Sequence, residues 1–161
     1  MVVGGGSVGL LAVAAATAMG LEVDLEARHD HQRVAGERLG AHPPTGQYDI
    51  TVEAGGTDSA LATCVAKTRP GGRIALVGMA TGDRSVPGIP FVMNELTMVG
   101  CNCYAKGSDS HEFAEAAAAL AARPEIAATV VTHRFPLSEA DEAFRVAADR
   151  SSGAIKVVVQ P

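Results

Sequence analysis

Apolar and polar positions along this chain change period repeatedly, and the changes fall at glycines, prolines or helix-capping residues. Residues 1–3 read as a strand end. Residues 9–19 form an Ala- and Leu-rich stretch predicted as a helix and stopped at Gly20. A strand is predicted over 21–26, and a helix capped by Asp30 runs to Leu39 and ends at Gly40. The pattern then gives a strand over 48–54, a helix over 58–67, and a strand over 73–79 entered through a Pro70-Gly71-Gly72 turn. Further strands are predicted at 97–103, 129–133 and 154–159, with helices at 110–122 and 138–149. No repeat, linker or composition break interrupts this alternation, which implies an α/β fold with a parallel sheet.

The length of 161 residues and a hydrophobic content of 47% suit one domain, with about 128–161 as a returning C-terminal segment. Thirteen basic residues against eighteen acidic give a formal charge of −5 with no basic stripe, so nucleic acid is not an expected partner. The apolar run 8–21 lacks a positive flank, since Arg28 is the first basic residue, and three glycines stand where a signal or membrane segment would begin. A cytoplasmic protein without a membrane span is the expectation. Cys64, Cys101 and Cys103 are too few for a disulfide framework or a four-ligand zinc site. His31, His42, His111 and His133 have no ligand-spaced neighbours, and no Ser-His-Asp arrangement is readable.

The chemistry sits at the start. Gly4-Gly5-Gly6-Ser7-Val8-Gly9 is a Gly-x-Gly-x-x-Gly dinucleotide fingerprint placed directly between a strand end and a helix. Gly4 permits the tight turn, Gly6 lets the backbone approach a pyrophosphate, and Gly9 lets the helix pack on the sheet, while the helix N-terminus holds the anion. Only residues 1–3 precede it, where a strand of about five or six residues is usual, so the chain is expected to be cut into at its N-terminus.

Ordered segments then carry a resemblance. The fingerprint continued through Leu10-Leu11-Ala12, then Glu37-Arg38-Leu39-Gly40-Ala41, then Tyr48-Asp49-Ile50-Thr51-Val52-Glu53-Ala54-Gly55-Gly56 resemble the zinc-dependent alcohol dehydrogenase group of the medium-chain dehydrogenase/reductase family. Pro70-Gly71-Gly72-Arg73-Ile74-Ala75-Leu76-Val77-Gly78, Glu95-Leu96-Thr97-Met98-Val99-Gly100 and Ala154-Ile155-Lys156-Val157-Val158 resemble its later strands. The resemblance covers essentially the whole chain. It implies a Rossmann-type doubly wound sheet, and it departs from the family in two ways. The family's N-terminal GroES-like domain, which holds the catalytic zinc, has no counterpart here, so zinc is expected only in that absent domain. Six residues separate Ala41 from Tyr48, where a crossover needs at least about 10–12, so strand three is expected to be vestigial or missing at the sheet edge.

The resemblance also assigns cofactor contacts. Gly4, Gly6, Ser7, Val8 and Gly9 form the phosphate turn. Ala27 stands where an NAD-binding acid would be, about 20 residues beyond the fingerprint. With Arg28 and His29 following, the reading favours NADP over NAD, because a guanidinium pairs with a 2′-phosphate; Glu26, one residue early and on the other face, is the opposing candidate. Asp24 reads as a solvated or paired structural acid. Gly55 and Gly56 fall beside the adenosine side, Gly78 and Met79 at a strand's carboxyl edge, Cys101 and Cys103 at the nicotinamide carboxamide, and Lys156 at the phosphates. Each has a plainer reading as turn, core or solvated residue. The expected whole is the cofactor-binding portion of an NAD(P)-dependent alcohol or polyol dehydrogenase, inactive alone, and a homodimer through the 97–103 edge strand. A stand-alone nucleotide-binding or regulatory module and an inactive fragment are the alternatives.

Overall fold

A computed structural model describes residues 1–102 and 111–161. The chain divides into two compact units, Met1–Ser110 and His111–Pro161.

The first unit alternates strand and helix: β1 (Val2–Val3), α1 (Ser7–Ala18), β2 (Leu25–Glu26), α2 (Asp30–Arg38), β3 (Tyr48–Glu53), α3 (Asp58–Lys67), β4 (Thr68–Leu76), α4 (Gly88–Met93) and β5 (Thr97–Gly100). Its strands form one parallel sheet in the order β2-β1-β3-β4-β5. This is a Rossmann-type doubly wound arrangement, and the direction of winding reverses between β1 and β3. Val2 and Val3 of central β1 are both buried, as a strand covered on two faces requires. Helix α3 contributes the adjacent stripe Ala60, Leu61, Cys64 and Val65, which packs with Met1, Val3, Ile74 and Leu96. Two buried hydroxyls lock this core. Thr51 Oγ1 and Thr68 Oγ1 lie 2.7 Å apart, and Thr68 also donates to the Cys64 carbonyl at 2.7 Å, so the end of α3 is tied to β3 and β4.

Strand three survives as a single bridge. Leu25 N donates to His42 O at 3.0 Å, and His42 N donates to Val23 O at 2.9 Å. Pro43 and Pro44 follow and have no N–H to extend the ladder. The chain turns back instead on Asp24, whose Oδ2 accepts from the Tyr48 hydroxyl at 2.6 Å and from Thr45 N at 3.3 Å. Asp24 is thus a paired structural acid.

Several boundaries differ from the sequence pattern. The strand predicted over 21–26 pairs only at Leu25–Glu26, beyond the His42 bridge. The strand predicted over 73–79 starts earlier, because Thr68 pairs with Tyr48 and the Pro70-Gly71-Gly72 turn loops out before Arg73 pairs with Ile50. It ends at Leu76, since Val77 N and Gly78 N both turn to the Glu53 carbonyl. The strand predicted over 97–103 ends at Gly100, with one further bond from Cys101 N to Leu76 O; Cys103 lies outside the described residues. Helix α4 has no counterpart in the sequence pattern; Pro90 lies in its first turn, where a proline loses no intrahelical bond.

The second unit comprises α5 (Glu112–Ala122), α6 (Pro124–Val130), β6 (Val131–Pro136), α7 (Ala140–Ala148) entered through a 3₁₀ turn, and β7 (Lys156–Gln160). Strands β6 and β7 pair in parallel, with Val131 opposite Lys156. The strand predicted over 129–133 is displaced. Thr129 and Val130 close α6, which starts with Pro124 at its head and Glu125 in its first turn, favourable to a helix start.

Candidate functional site

The sheet's winding reverses between β1 and β3, and open α/β sheets take ligands in the crevice outside the carboxyl ends of the strands at such a point. The turn after β1 is fixed by contact. Gly4 has φ +115°, and a Cβ there would lie 2.7 Å from Gly55 N. A Cβ on Gly9 would lie 1.8 Å from Gly4 O, and one on Gly5 would meet Ala27 Cβ at 2.7 Å. Gly6 differs from all of these. It stands at the head of α1, and a Cβ there would have nothing within 4 Å. The first turn of α1 carries no acidic residue. An open glycine at a helix N-terminus without local negative charge fits an anionic group such as a pyrophosphate.

At the end of β2, Ala27 is buried under Gly5, while Glu26 and Arg28 are exposed. His29 precedes α2 and stacks on His31, with ring centroids 5.4 Å apart. The cation fastened at this point is Arg33, which sequence reasoning missed. Its Nη1 donates to Ala27 O at 2.8 Å and Arg28 O at 3.3 Å, and Nη2 pairs with Asp30. With Glu26, Glu37 and His42 it lines a cleft of about 90 Å³. Asp30 and Arg33 stand i,i+3 on α2, a spacing visible in the sequence.

The turns after β3 and β4 meet over Glu53, which is fully buried and was also missed. Its carbonyl accepts from Val77 N at 2.9 Å and Gly78 N at 2.7 Å. Its Oε1 accepts from Gly55 N at 2.9 Å and Gly56 N at 2.7 Å, and Oε2 pairs with Arg84 Nη1 at 3.3 Å. The two turns touch: a Cβ on Gly78 would lie 2.4 Å from Gly56 N, and one on Gly56 would lie 2.5 Å from Met79 O. Met79 itself is 92% exposed. An acid between Val52 and Ala54, at the end of an apolar strand and before two glycines, was the available signal.

The structure therefore gathers Gly4, Gly6, Ser7 and Gly9 with Ala27 on one side and with Gly55, Gly78 and Met79 on the other. Val8 is on α1 with its side chain exposed. Cys101 is exposed at the end of β5, its Sγ 3.8 Å from Val99 O. Lys156 belongs to the second unit, where its side chain is exposed at the start of β7. Burial raises the Cys64 thiol to about 11. Among the described residues no three His, Cys, Asp or Glu side chains gather into a metal-holding group, and no helix is long and apolar enough to cross a membrane.

Comparison with known proteins places this geometry. A family model described as "Glucose dehydrogenase C-terminus" matches residues 1–161. The sorbitol dehydrogenase of Arabidopsis thaliana is 33% identical over 112 residues, covering 68% of this chain and 29% of that protein. A protein from Sinorhizobium meliloti 1021 described as a zinc-binding dehydrogenase, solved bound to NADP, superposes with a TM-score of 0.76 at 23% identity, over 99% of this chain and 51% of its own. An alcohol dehydrogenase from Escherichia coli CFT073, solved with NADH, gives a TM-score of 0.81 at 18% identity, over 99% and 51%. The two structures share the fold. The chain spans under a third of the sorbitol dehydrogenase and about half of each solved chain.

Proposed function

The chain belongs to the glucose dehydrogenase C-terminus family, within the zinc-dependent alcohol dehydrogenase group of the medium-chain dehydrogenase/reductases, and from that premise we propose that it binds a nicotinamide dinucleotide in the β1/β3 crevice for an alcohol or polyol dehydrogenase. The observation that carries this reading is the contrast within the fingerprint: Gly4, Gly5 and Gly9 are closed in by protein, whereas Gly6 opens to space at an uncluttered helix N-terminus. When bound, the dinucleotide supplies the hydride donor or acceptor. The residues of this chain hold and orient it. Backbone N–H groups at the head of α1 receive the pyrophosphate, the Gly55-Gly56 turn borders the adenosine, and Gly78, Met79 and Cys101 border the nicotinamide.

Within that reading NADP is favoured. Ala27 offers no carboxylate to ribose hydroxyls, Arg28 is exposed beside it, and Arg33 is fastened to the same strand end. The chain's part is binding and placement, with metal ligation outside it. A second copy is the proposed partner along β5, which among the described strands pairs only with β4 and leaves Val99 half exposed. Ile89, Val92 and Met93 of α4 add exposed apolar surface in the same unit. The test is a fluorescence titration of the unmodified chain with NADPH and NADH, alongside light scattering. Saturable binding with NADPH tighter, and a dimer lost in Val99→Pro, are expected. No binding of either nucleotide overturns the reading, tighter NADH reverses the preference, and a well-behaved monomer removes the dimer.

A further inference from the structure

Glu53 is a fully buried carboxylate that the proposed function has so far left unused, and its partner Arg84 comes from a loop with no part in the fingerprint. A buried carboxylate is retained only when its oxygens are satisfied and its charge is matched. Two glycine N–H groups satisfy Oε1 but are neutral; Arg84, itself only 18% exposed, supplies the countercharge at Oε2. The same guanidinium donates from Nη2 to Thr57 O at 2.7 Å, and its Nε faces Asp58 Oδ1 at 3.4 Å. Ser85 N reaches the same Asp58 oxygen at 3.2 Å. One side chain therefore fastens the 80–86 loop to the head of α3 and to the carboxylate that holds the turn after β3.

We propose that Arg84 is a positioning residue for dinucleotide binding, holding the Gly55-Gly56 turn, and Gly78 packed against it, in register through the Glu53 carboxylate and cancelling the charge of that carboxylate behind the phosphate turn. This rests on the reading that the β1/β3 crevice takes a dinucleotide. Two routes connect Arg84 to that crevice. The mechanical one runs through Gly55, whose N–H is held by Glu53 and whose backbone packs directly against Gly4. The electrostatic one is that Glu53 without Arg84 would present an unbalanced negative charge close to where a pyrophosphate is received, at low effective dielectric. Asp58, the other acid on Arg84, is half exposed and contributes less to this field.

The test measures NADPH affinity by fluorescence titration and amide hydrogen exchange at Gly55, Gly56 and Gly78 in the unmodified 161-residue chain. The variants are Arg84→Met, Arg84→Lys and the double variant Glu53→Gln/Arg84→Met, with circular dichroism melts for each. Arg84→Met is expected to weaken NADPH by about ten-fold or more, to speed exchange at the three glycines, and to show the larger loss at low salt. Arg84→Lys should recover part of the affinity, and the double variant should bind more tightly than Arg84→Met because the uncompensated charge is gone. If Arg84→Met binds NADPH as the unmodified chain does, the proposal is wrong and the functional reading stands. If the unmodified chain binds no dinucleotide while Arg84→Met still loosens the glycines, the functional reading has failed and Arg84 is a structural clamp alone. If Arg84→Met unfolds the chain, Arg84→Lys decides: a folded Arg84→Lys chain that binds NADPH as tightly as the unmodified chain, with unchanged exchange at the three glycines, overturns the proposal, and weaker binding with faster exchange supports it.

Discussion

The inner end of the crevice and the outer edge of the sheet are built in opposite ways. Around Gly4, Gly9, Glu53 and Gly78, backbone packs on backbone so closely that a carbon added to any of these glycines has no place, and Glu53 holds two turns, one through its carboxylate and one through its carbonyl. Around β2 and His42, the sheet has lost a strand, one bridge remains, and the charged groups beside the small cleft reach partly into solvent. The first region fixes where a ligand can lie. The second, with its mixed charges, is where ligands can be told apart, because exposed cations change affinity without changing the fold.

The strongest way to break this contrast is Gly9→Ala. With the new carbon 1.8 Å from Gly4 O, the α1 head must move, and a loss of more than about 3 kcal/mol is expected in denaturant unfolding. A stable Gly9→Ala chain would show that the inner end is not so tightly determined.

A second effect belongs to the inner core. The Cys64 thiol, raised by burial to about 11 from 9.0, favours its neutral form in the fold. Its contribution is complete below pH 9 and is lost as pH rises through 11, about 2–3 kcal/mol in all. Urea unfolding between pH 8 and 11.5 should show this fall, and Cys64→Ala should flatten it. Tyr48, raised by burial and by its hydrogen bond to Asp24, adds a slope of the same sign. An equal fall in Cys64→Ala would assign the effect elsewhere.

At the outer edge the expected effects are on selectivity. Arg28→Ala should weaken NADPH by about ten- to a hundred-fold, on the scale of a charge-assisted pair of about 1.5–3 kcal/mol, and leave NADH nearly unchanged. Arg33→Ala sharpens the point: if it erases the preference instead, the discriminating cation is the one tied to Ala27 O. Tyr48→Phe is the smallest change, about 1 kcal/mol of stability from the lost bond to Asp24 with no change in nucleotide affinity.

The same division decides what the sequence disclosed. Gly4, Gly9 and the parallel order were legible because backbone contacts permit one residue type and strand runs alternate with helices. The loss of strand three was legible as six residues where a crossover should lie, and Pro43-Pro44 explains why the remnant stops at one bridge. Glu53 and Arg84 were not legible, since 31 positions separate them and no periodicity marks a pair made by a strand end and a loop. Arg33 was passed over for Arg28, which is nearer the family register but exposed; α2 carries Arg33 back onto the strand end. Helices α4 and α6 were not read from the sequence; each is short and carries a proline in its first turn, where it loses no intrahelical bond.

The central claim is that Gly6 opens on the ligand, and Gly6→Val tests it most directly. Its φ of −77° suits any residue, and its Cβ would meet no protein atom within 4 Å, so the melting temperature should stay near that of the unmodified chain. Calorimetric titration should then find NADPH and NADH binding abolished in Gly6→Val and present in the unmodified chain. Undiminished binding by a folded Gly6→Val chain would contradict the account.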